Sequence, residues 1–424
     1  MDVKSNIDQK LLPWQTPNDD QQKKFPVRTA IALGVGVVLW LGPYLALVGV
    51  LVPQQVAKIN PGQKTEIIAL MSTCAMIVST IANIVEGALS DRTRSRWGRR
   101  TPWIVLGSVG TAICILFWGK SVTAWQVILS DSIYMIFLNM IVAPLIAVIA
   151  DRTSPKYRGT ISSVYALGSA AGQYGGQAFA SLFLPVPYTG FIVMAVLTLF
   201  SGPLAAIILR EKSTKDMPVE KVTIKNFSQN FAFPTKGAMD FYLALFGKLA
   251  IQTASFAISG YQLYILTDYI KLHGGKLQSY VTLISMILMV TAIVLCIFAG
   301  PLSDKIGKRK VPVIFAGGLI AVGSLVPMFS TKPWVMLAYA AIVGIGMGMY
   351  NSVDQALNIE VLPDPKTAAK DLGLLNMANN GGQVFGPIFS AAIIGIVGYR
   401  GIFPLACAMA VIGSVLIIFI KKVK

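Results

Sequence analysis

Apolar residues along this chain neither alternate nor recur at every third or fourth position. They run on for about twenty residues and then stop at short polar clusters. The runs fall at roughly 28–52, 65–90, 102–120, 123–150, 159–183 and 189–209. After a polar stretch they resume at 239–268, 277–300, 311–329, 333–360, 372–397 and 400–420. About 20 helical residues cross the ~30 Å hydrocarbon core of a bilayer. Helices are the expected element, because an open strand edge finds no hydrogen-bond partner in lipid. The pattern predicts an all-α integral membrane protein of twelve transmembrane helices in two six-helix halves. The expected divisions are a tail at 1–27, a six-helix bundle at 28–209, a linker at 210–237 and a second bundle at 238–424.

Composition agrees with that pattern. Of 424 residues, 54% are hydrophobic and 13% charged, where soluble domains carry roughly a quarter charged. The net charge of +17 would point to nucleic acid in a soluble protein. Here its placement excludes that reading, because the basic residues sit in alternate loops. With the N-terminus inside, 28 of the 36 Lys and Arg fall in inner segments and seven in outer ones, Lys248 being the remainder. This roughly fourfold asymmetry puts both termini in the cytoplasm of a multi-pass protein of the cell membrane. Cys74, Cys114, Cys296 and Cys407 lie inside apolar runs and read as packing residues. The single histidine, His273, lies in a polar loop, so no histidine relay crosses the membrane. The polar start, with Pro13, Pro17 and Pro26, has no signal-peptide pattern. Nothing in the sequence requires a cofactor or a metal.

The two halves repeat a loop signature. After the second run the chain reads Gly87-Ala-Leu-Ser-Asp91-Arg92, then Gly98-Arg99-Arg100. After the eighth it reads Gly300-Pro-Leu-Ser-Asp304, then Gly307-Lys-Arg309. A second pair follows the fourth and tenth runs: Asp151 through Pro155 to Arg158, and Glu360 through Pro365 to Lys370. Such internal repeats are the trace of transporters that rock one half against the other. The signature resembles the loop motif of the major facilitator superfamily. Its longer first copy, Asp91 to Trp103, is similar to the branch of sucrose transporters and glycoside–cation symporters. The resemblance implies a monomeric secondary transporter with a gate at the inner surface. Gly87, Asp91, Arg92, Gly98, Arg99, Arg100, Asp151, Arg158, Gly300, Asp304, Gly307, Arg309 and Glu360 would form that gate. Asp91 and Asp304 would cap a neighbouring helix at its positive N-terminus.

An ionisable group in the hydrocarbon costs at least ~2.5 kcal/mol, so it reads first as functional. Asp131, about seven residues (~10 Å) into helix four, is the candidate for proton or cation coupling. Lys248 in helix seven would attract an anionic solute, balance an acid or snorkel to the surface. Asp354 in helix ten reads as an inner salt bridge or gate more than a solute contact. Asn139, Gln173, Gln177, Gln252, Gln262, Asn351, Asn380 and Gln383 would line a central cavity. Trp40, Tyr44, Tyr134, Tyr261 and Tyr264 would give it aromatic walls.

The branch resemblance weakens in helix four, where Met135 and Ile146 stand in place of the acid and base of the sucrose-transporter pattern. Asp131 lies one turn outward on the same face and would stand in for the acid. Two substrate classes remain open: a sugar or glycoside moved with a proton or sodium ion, and an amphipathic organic anion such as a bile-salt-like steroid conjugate. A primary pump is disfavoured because position 242 is Tyr, so Gly247-Lys248 completes no phosphate loop. No carbonyl-filter sequence marks a channel, and no nucleophile–base set marks an enzyme.

Overall fold

The computed structural model describes residues 15–218, 233–235, 237–306, 309–363 and 368–421. Residues 1–14 of the expected tail, 219–232 and 236 of the expected linker, and Gly307 lie outside these. Twelve long helices run through the described residues. The first half has α1 (Val27–Ile59, with a π turn at Leu47–Leu51), α2 (Lys64–Arg92), α3 (Thr101–Gly119), α4 (Ala124–Arg152), α5 (Pro155–Ser181) and α6 (Pro187–Leu209). The second has α7 (Met239–Ser259), α8 (Gly274–Ile306), α9 (Lys310–Leu325), α10 (Trp334–Glu360), α11 (Ala368–Val397) and α12 (Ile402–Ile418). An even number of antiparallel helices brings the start of α1 and the end of α12 to one face, here the terminal face.

Eleven of these helices are long and apolar enough to cross a membrane. The exception, α5, is rich in Gly, Ser and Gln, and packing explains it. It lies on α1 and also on α8 of the other half, so close backbone approach replaces apolar bulk. Gly172 and Gly176 meet Gly42 of α1 so closely that a side chain at Gly176 would collide with the Gly42 carbonyl. Gly175, on another face of the helix, leaves an ordinary 3.4 Å to Met289 across the boundary. Gly176→Leu should therefore lower stability by about 1–3 kcal/mol or more through overpacking. Gly175→Ala should be near neutral; melting of the two purified variants checks the contrast.

The halves are built alike. α5 packs on α1 as α11 packs on α7, α2 on α4 as α8 on α10, and α3 on α6 as α9 on α12. Contact between halves runs through α5–α8 and α2–α11. Outward-facing Leu70, Ile77, Ile81, Phe117, Phe298, Phe315 and Phe419 are exposed, an apolar belt suited to lipid rather than water.

Two boundaries differ from the expectation. The first helix continues past residue 52 to Ile59 through its π turn. The seventh ends at Ser259 rather than near 268, giving way to a short turn at Gln262–Tyr264 and a π turn at Ile265–Tyr269. The break turns Tyr261 and Tyr264 toward the other half, where both hydroxyls find carbonyl partners.

Candidate transport site

A cavity of about 100 Å³ lies between the halves, reached by α1, α2 and α4 on one side and α7 and α11 on the other. Its walls are mainly apolar: Leu45, Val48, Ile68, Met71, Met76, Met135, Phe256 and Val384. Polar groups converge on it from both halves: Tyr44, Ser72, Ser79, Thr80 and Asp131, and opposite them Asn380 and Gln383. Among the described residues Asp131 is its only ionisable carboxyl, and no Lys or Arg lines it. Asp131 is 1% exposed, and its Oδ1 has no hydrogen-bond partner. Tyr44 stacks on Tyr134 at 5.9 Å between ring centroids, and Trp118 backs Tyr134 at 5.5 Å. The ring stack fixes the wall beside the carboxyl.

Of the cavity residues expected from sequence, the structure brings together Tyr44, Asp131, Asn380 and Gln383. The others stand elsewhere. Trp40 is buried in the core of the first half with its indole N–H unpartnered. Tyr134 lies one layer behind Tyr44. Asn139 sits behind the wall, donating to Ser79 Oγ at 2.9 Å and accepting from Asn83 Nδ2 at 3.0 Å. Gln177 packs on Gly49 of α1, and Gln173 is half-buried on the same helix. Gln252 donates to Asn379 at 2.7 Å, joining α7 to α11. Gln262 is buried at the face away from the termini, and Asn351 is exposed.

Lys248 and Asp354 form a buried ion pair at 2.7 Å, with side chains 2% and 8% exposed. Asn358 adds a hydrogen bond to the same Asp354 oxygen at 2.9 Å. Of the roles open to Lys248, balancing an acid matches this geometry; snorkelling does not, because the ammonium is sealed inside the second half. Removing one partner strands the other charge. Lys248→Ala should cost about 3–5 kcal/mol and lower the melting temperature far more than the paired change Lys248→Met with Asp354→Leu.

The face opposite the termini is closed by bonds between the halves. Lys64 at the start of α2 pairs with Asp268 in the π turn after α7. Tyr399 donates to the same carboxylate at 2.8 Å. Tyr261 donates to the Thr65 carbonyl at 2.8 Å, and Tyr264 to the Pro53 carbonyl at 2.8 Å. Ser181 and Thr282 hydroxyls meet at 2.6 Å where α5 crosses α8. Burial alone would push the Asp268 carboxyl up. The hydrogen bonds from Lys64 and Tyr399, with the Lys64 charge, outweigh it and hold the carboxyl below its ordinary range. On the terminal face, among the described residues, no side-chain hydrogen bond or ion pair joins the two halves.

The residues expected at the gate cluster inside each half. Arg100 is buried and reaches Asp91, Asp151 and the Ser90 hydroxyl, while Arg99 pairs with Asp151. Asp151 ends α4, so the cluster ties α2, α3 and α4 together. In the second half Arg309 pairs with Glu360 at the end of α10, at 2.6 Å. This pair repeats that of Arg100 with Asp151. Arg158 bonds the Thr153 and Ala150 carbonyls at the end of α4. Arg92 is exposed, Gly87 has open space around it, and Gly300 and Asp304 fall in the last turns of α8.

The expected capping by Asp91 needs correction. Glu211, returning from the linker, caps α3 by accepting from the Arg100 and Thr101 backbone N–H groups and the Thr101 hydroxyl at 2.8–3.0 Å. Asp91 is drawn instead to the Arg100 guanidinium. Gly98, with φ of +89°, makes room for Glu211, since a side chain there would collide with it.

Sequence reasoning passed over three charged groups. In the sequence Lys64 reads only as an outer loop charge, and Asp268 reads as the end of an apolar run. Glu86, buried in α2 with Oε2 unpartnered, was hidden by the charged signature that begins one residue later.

The Major Facilitator Superfamily profile matches residues 39–277 and 244–424, two overlapping matches that together span both halves. The multidrug resistance protein MdtG of Salmonella schwarzengrund (strain CVM19633) is 24% identical over 356 residues, covering 82% of this chain and 83% of that protein. MdtG of Citrobacter koseri is also 24% identical, over 354 residues, with 82% of each chain covered. Among solved structures, a nucleoside transporter NupG variant aligns with a TM-score of 0.72 at 14% identity, over 93% of this chain and all of that one. A bacterial homologue of the human lysosomal transporter Spinster, inward-facing and unoccupied, aligns at 0.66 and 14% identity over 94% and 95%. With matching profiles over both halves and this twelve-helix arrangement, the chain belongs to the Major Facilitator Superfamily and is a membrane transporter.

Proposed function

We propose that the chain couples movement of an amphipathic organic solute, neutral or cationic, to protonation of Asp131. The observation that carries this reading is the lone unpaired carboxyl in a mainly apolar cavity between the halves. A charge crossing the hydrocarbon costs at least ~2.5 kcal/mol. The carboxyl therefore passes through the occluded state with a proton or a cationic solute group on it. Met71, Met76 and Met135 give the wall a pliable apolar surface that adapts to solutes of different shape. This is compatible with the multidrug proteins among its relatives. The excess of Lys and Arg on the terminal face orients that face toward the cytoplasm. The closed opposite face then makes this the inward-facing member of an alternating-access pair.

A second reading, sugar or glycoside symport with a proton, rests on Asn380, Gln383, Ser79 and Thr80, whose amide and hydroxyl groups would pair with solute hydroxyls. The organic-anion alternative has less support, since the cavity carries a carboxyl and Lys248 is engaged with Asp354. Uptake into proteoliposomes under an imposed pH gradient separates the three. Tetraphenylphosphonium, a neutral disaccharide and a bile salt serve as probes. Gradient-dependent movement of the cation supports the first reading, and of the disaccharide alone the second. Movement of the bile salt alone would overturn both.

A further inference from the structure

Glu86 has no assigned work in the fold. It is 4% exposed, sits in the terminal-face third of α2, and its Oε2 has no hydrogen-bond partner. A buried carboxyl that neither pairs nor bonds weakens the helix packing around it, so its presence calls for another explanation.

Its position supplies one. Ser79, Asn83, Glu86 and Ser90 follow one another at intervals of four, three and four residues, the spacing of neighbours on one helix face. Ser79 lines the central cavity with Asp131. From there a bonded chain runs along the α2–α4 seam: Asn139 donates to Ser79 at 2.9 Å and accepts from Asn83 at 3.0 Å. Glu86 lies one turn beyond Asn83. Ser90, the next member, receives the Arg100 guanidinium at 2.6 Å within the terminal-face cluster. The stripe thus connects the cavity to the terminal face, with Glu86 as its only carboxyl between the two ends.

We propose that Glu86 is a second proton-binding site, which takes the proton released by the Asp131 carboxyl and passes it to water at the terminal face. The inference rests on the proton-coupled reading of the cavity. The transfer is balanced: Asp131 goes from acid to carboxylate, Glu86 from carboxylate to acid, and Glu86 then returns to carboxylate as a water-borne proton leaves. Asn83 and Asn139 orient water along the seam rather than carry the proton. The charged groups on this stretch and on the elements packed against it are Asp91 and Arg92 on α2, Asp131, Asp151 and Arg152 on α4, Arg99 and Arg100 from the α2–α3 turn, and Asp371 at the start of α11. Among the described residues none of them bonds the Glu86 carboxyl.

The test is an infrared titration of the purified protein from about pH 4 to about pH 9, following protonated carboxyl absorbance in wild type, Glu86→Gln and Asp131→Asn. Glu86→Gln should lose one protonated-carboxyl band that Asp131→Asn retains. A Glu86→Gln spectrum identical to wild type across the range overturns the proposal. This readout needs no solute, so it decides Glu86 even if the proton-coupled reading fails. Tetraphenylphosphonium then tests the route: Glu86→Gln should lower pH-driven accumulation about tenfold or more while exchange without a gradient stays within about twofold. Equal loss of both, or of neither, contradicts a relay. Unchanged melting of the variant confirms that the fold is intact.

Discussion

Asp131→Asn is expected to abolish pH-driven accumulation of tetraphenylphosphonium, on the order of 100-fold, without unfolding the protein. Asparagine keeps the size and most of the polarity of aspartate, so Tyr44, Met135 and the ring stack behind them remain in place. Among the described residues it removes the only carboxyl in the cavity. Without a group that distinguishes loaded from unloaded states, a proton gradient has nothing to act on. The variant should still exchange solute down its own gradient. Its melting temperature should equal or exceed that of wild type, because the unpaired carboxyl oxygen contributes nothing to stability where it is and about 1–3 kcal/mol against it. Lower stability together with lost exchange would instead mark Asp131 as part of the packing.

Asp268→Ala should open the face opposite the termini. The Asp268 carboxylate accepts from both Lys64 and Tyr399, so one substitution releases the ion pair and frees the Tyr399 hydroxyl. Couplings of this kind amount to about 1–3 kcal/mol, or roughly 5- to 150-fold in a conformational equilibrium. Tyr261 and Tyr264 still bridge to Thr65 and Pro53, so the seal should weaken rather than vanish. A cysteine placed at Ser72 in the cavity should react faster with a membrane-impermeant thiol reagent added from that face. Removing Lys64 as well should add no further acceleration if the pair acts as a unit, and additive effects would show independent contributions.

The closed state also has a defined pH dependence. Asp268 is held below its ordinary range when the face is closed. Closure is therefore favoured above the ordinary carboxylate value, near pH 3.9, and the favourable term is lost as pH falls through the depressed value. Near neutral pH the Asp268 carboxyl stays ionised. The proposed coupling therefore places the proton on the cavity carboxyl and not on this seal.

The sequence carried most of the architecture because hydrocarbon imposes long apolar runs, and such runs can be counted. It carried the repeat because both halves spell the same loop signature. Asp131 was legible for a related reason: a lone acid well inside an apolar run has few structural uses. Lys248 and Asp354 were each legible as intramembrane charges, but their partnership was not. They are more than a hundred positions apart in the chain, and no periodicity marks a contact between helices. The polar character of α5 shows the limit of hydropathy. That helix is buried against α1 and α8, so small residues serve where its neighbours use large apolar ones. The seal of Lys64, Asp268 and Tyr399 escaped notice because near a helix end a charged residue reads the same whether it meets water or the other half.

The most direct measurement is the internal pH of proteoliposomes holding a trapped indicator, with tetraphenylphosphonium added outside and no other gradient imposed. The account predicts proton movement coupled to entry of the cation in wild type, and none in Asp131→Asn. Cation entry with no pH change in wild type, or an unchanged proton signal in Asp131→Asn, would contradict it.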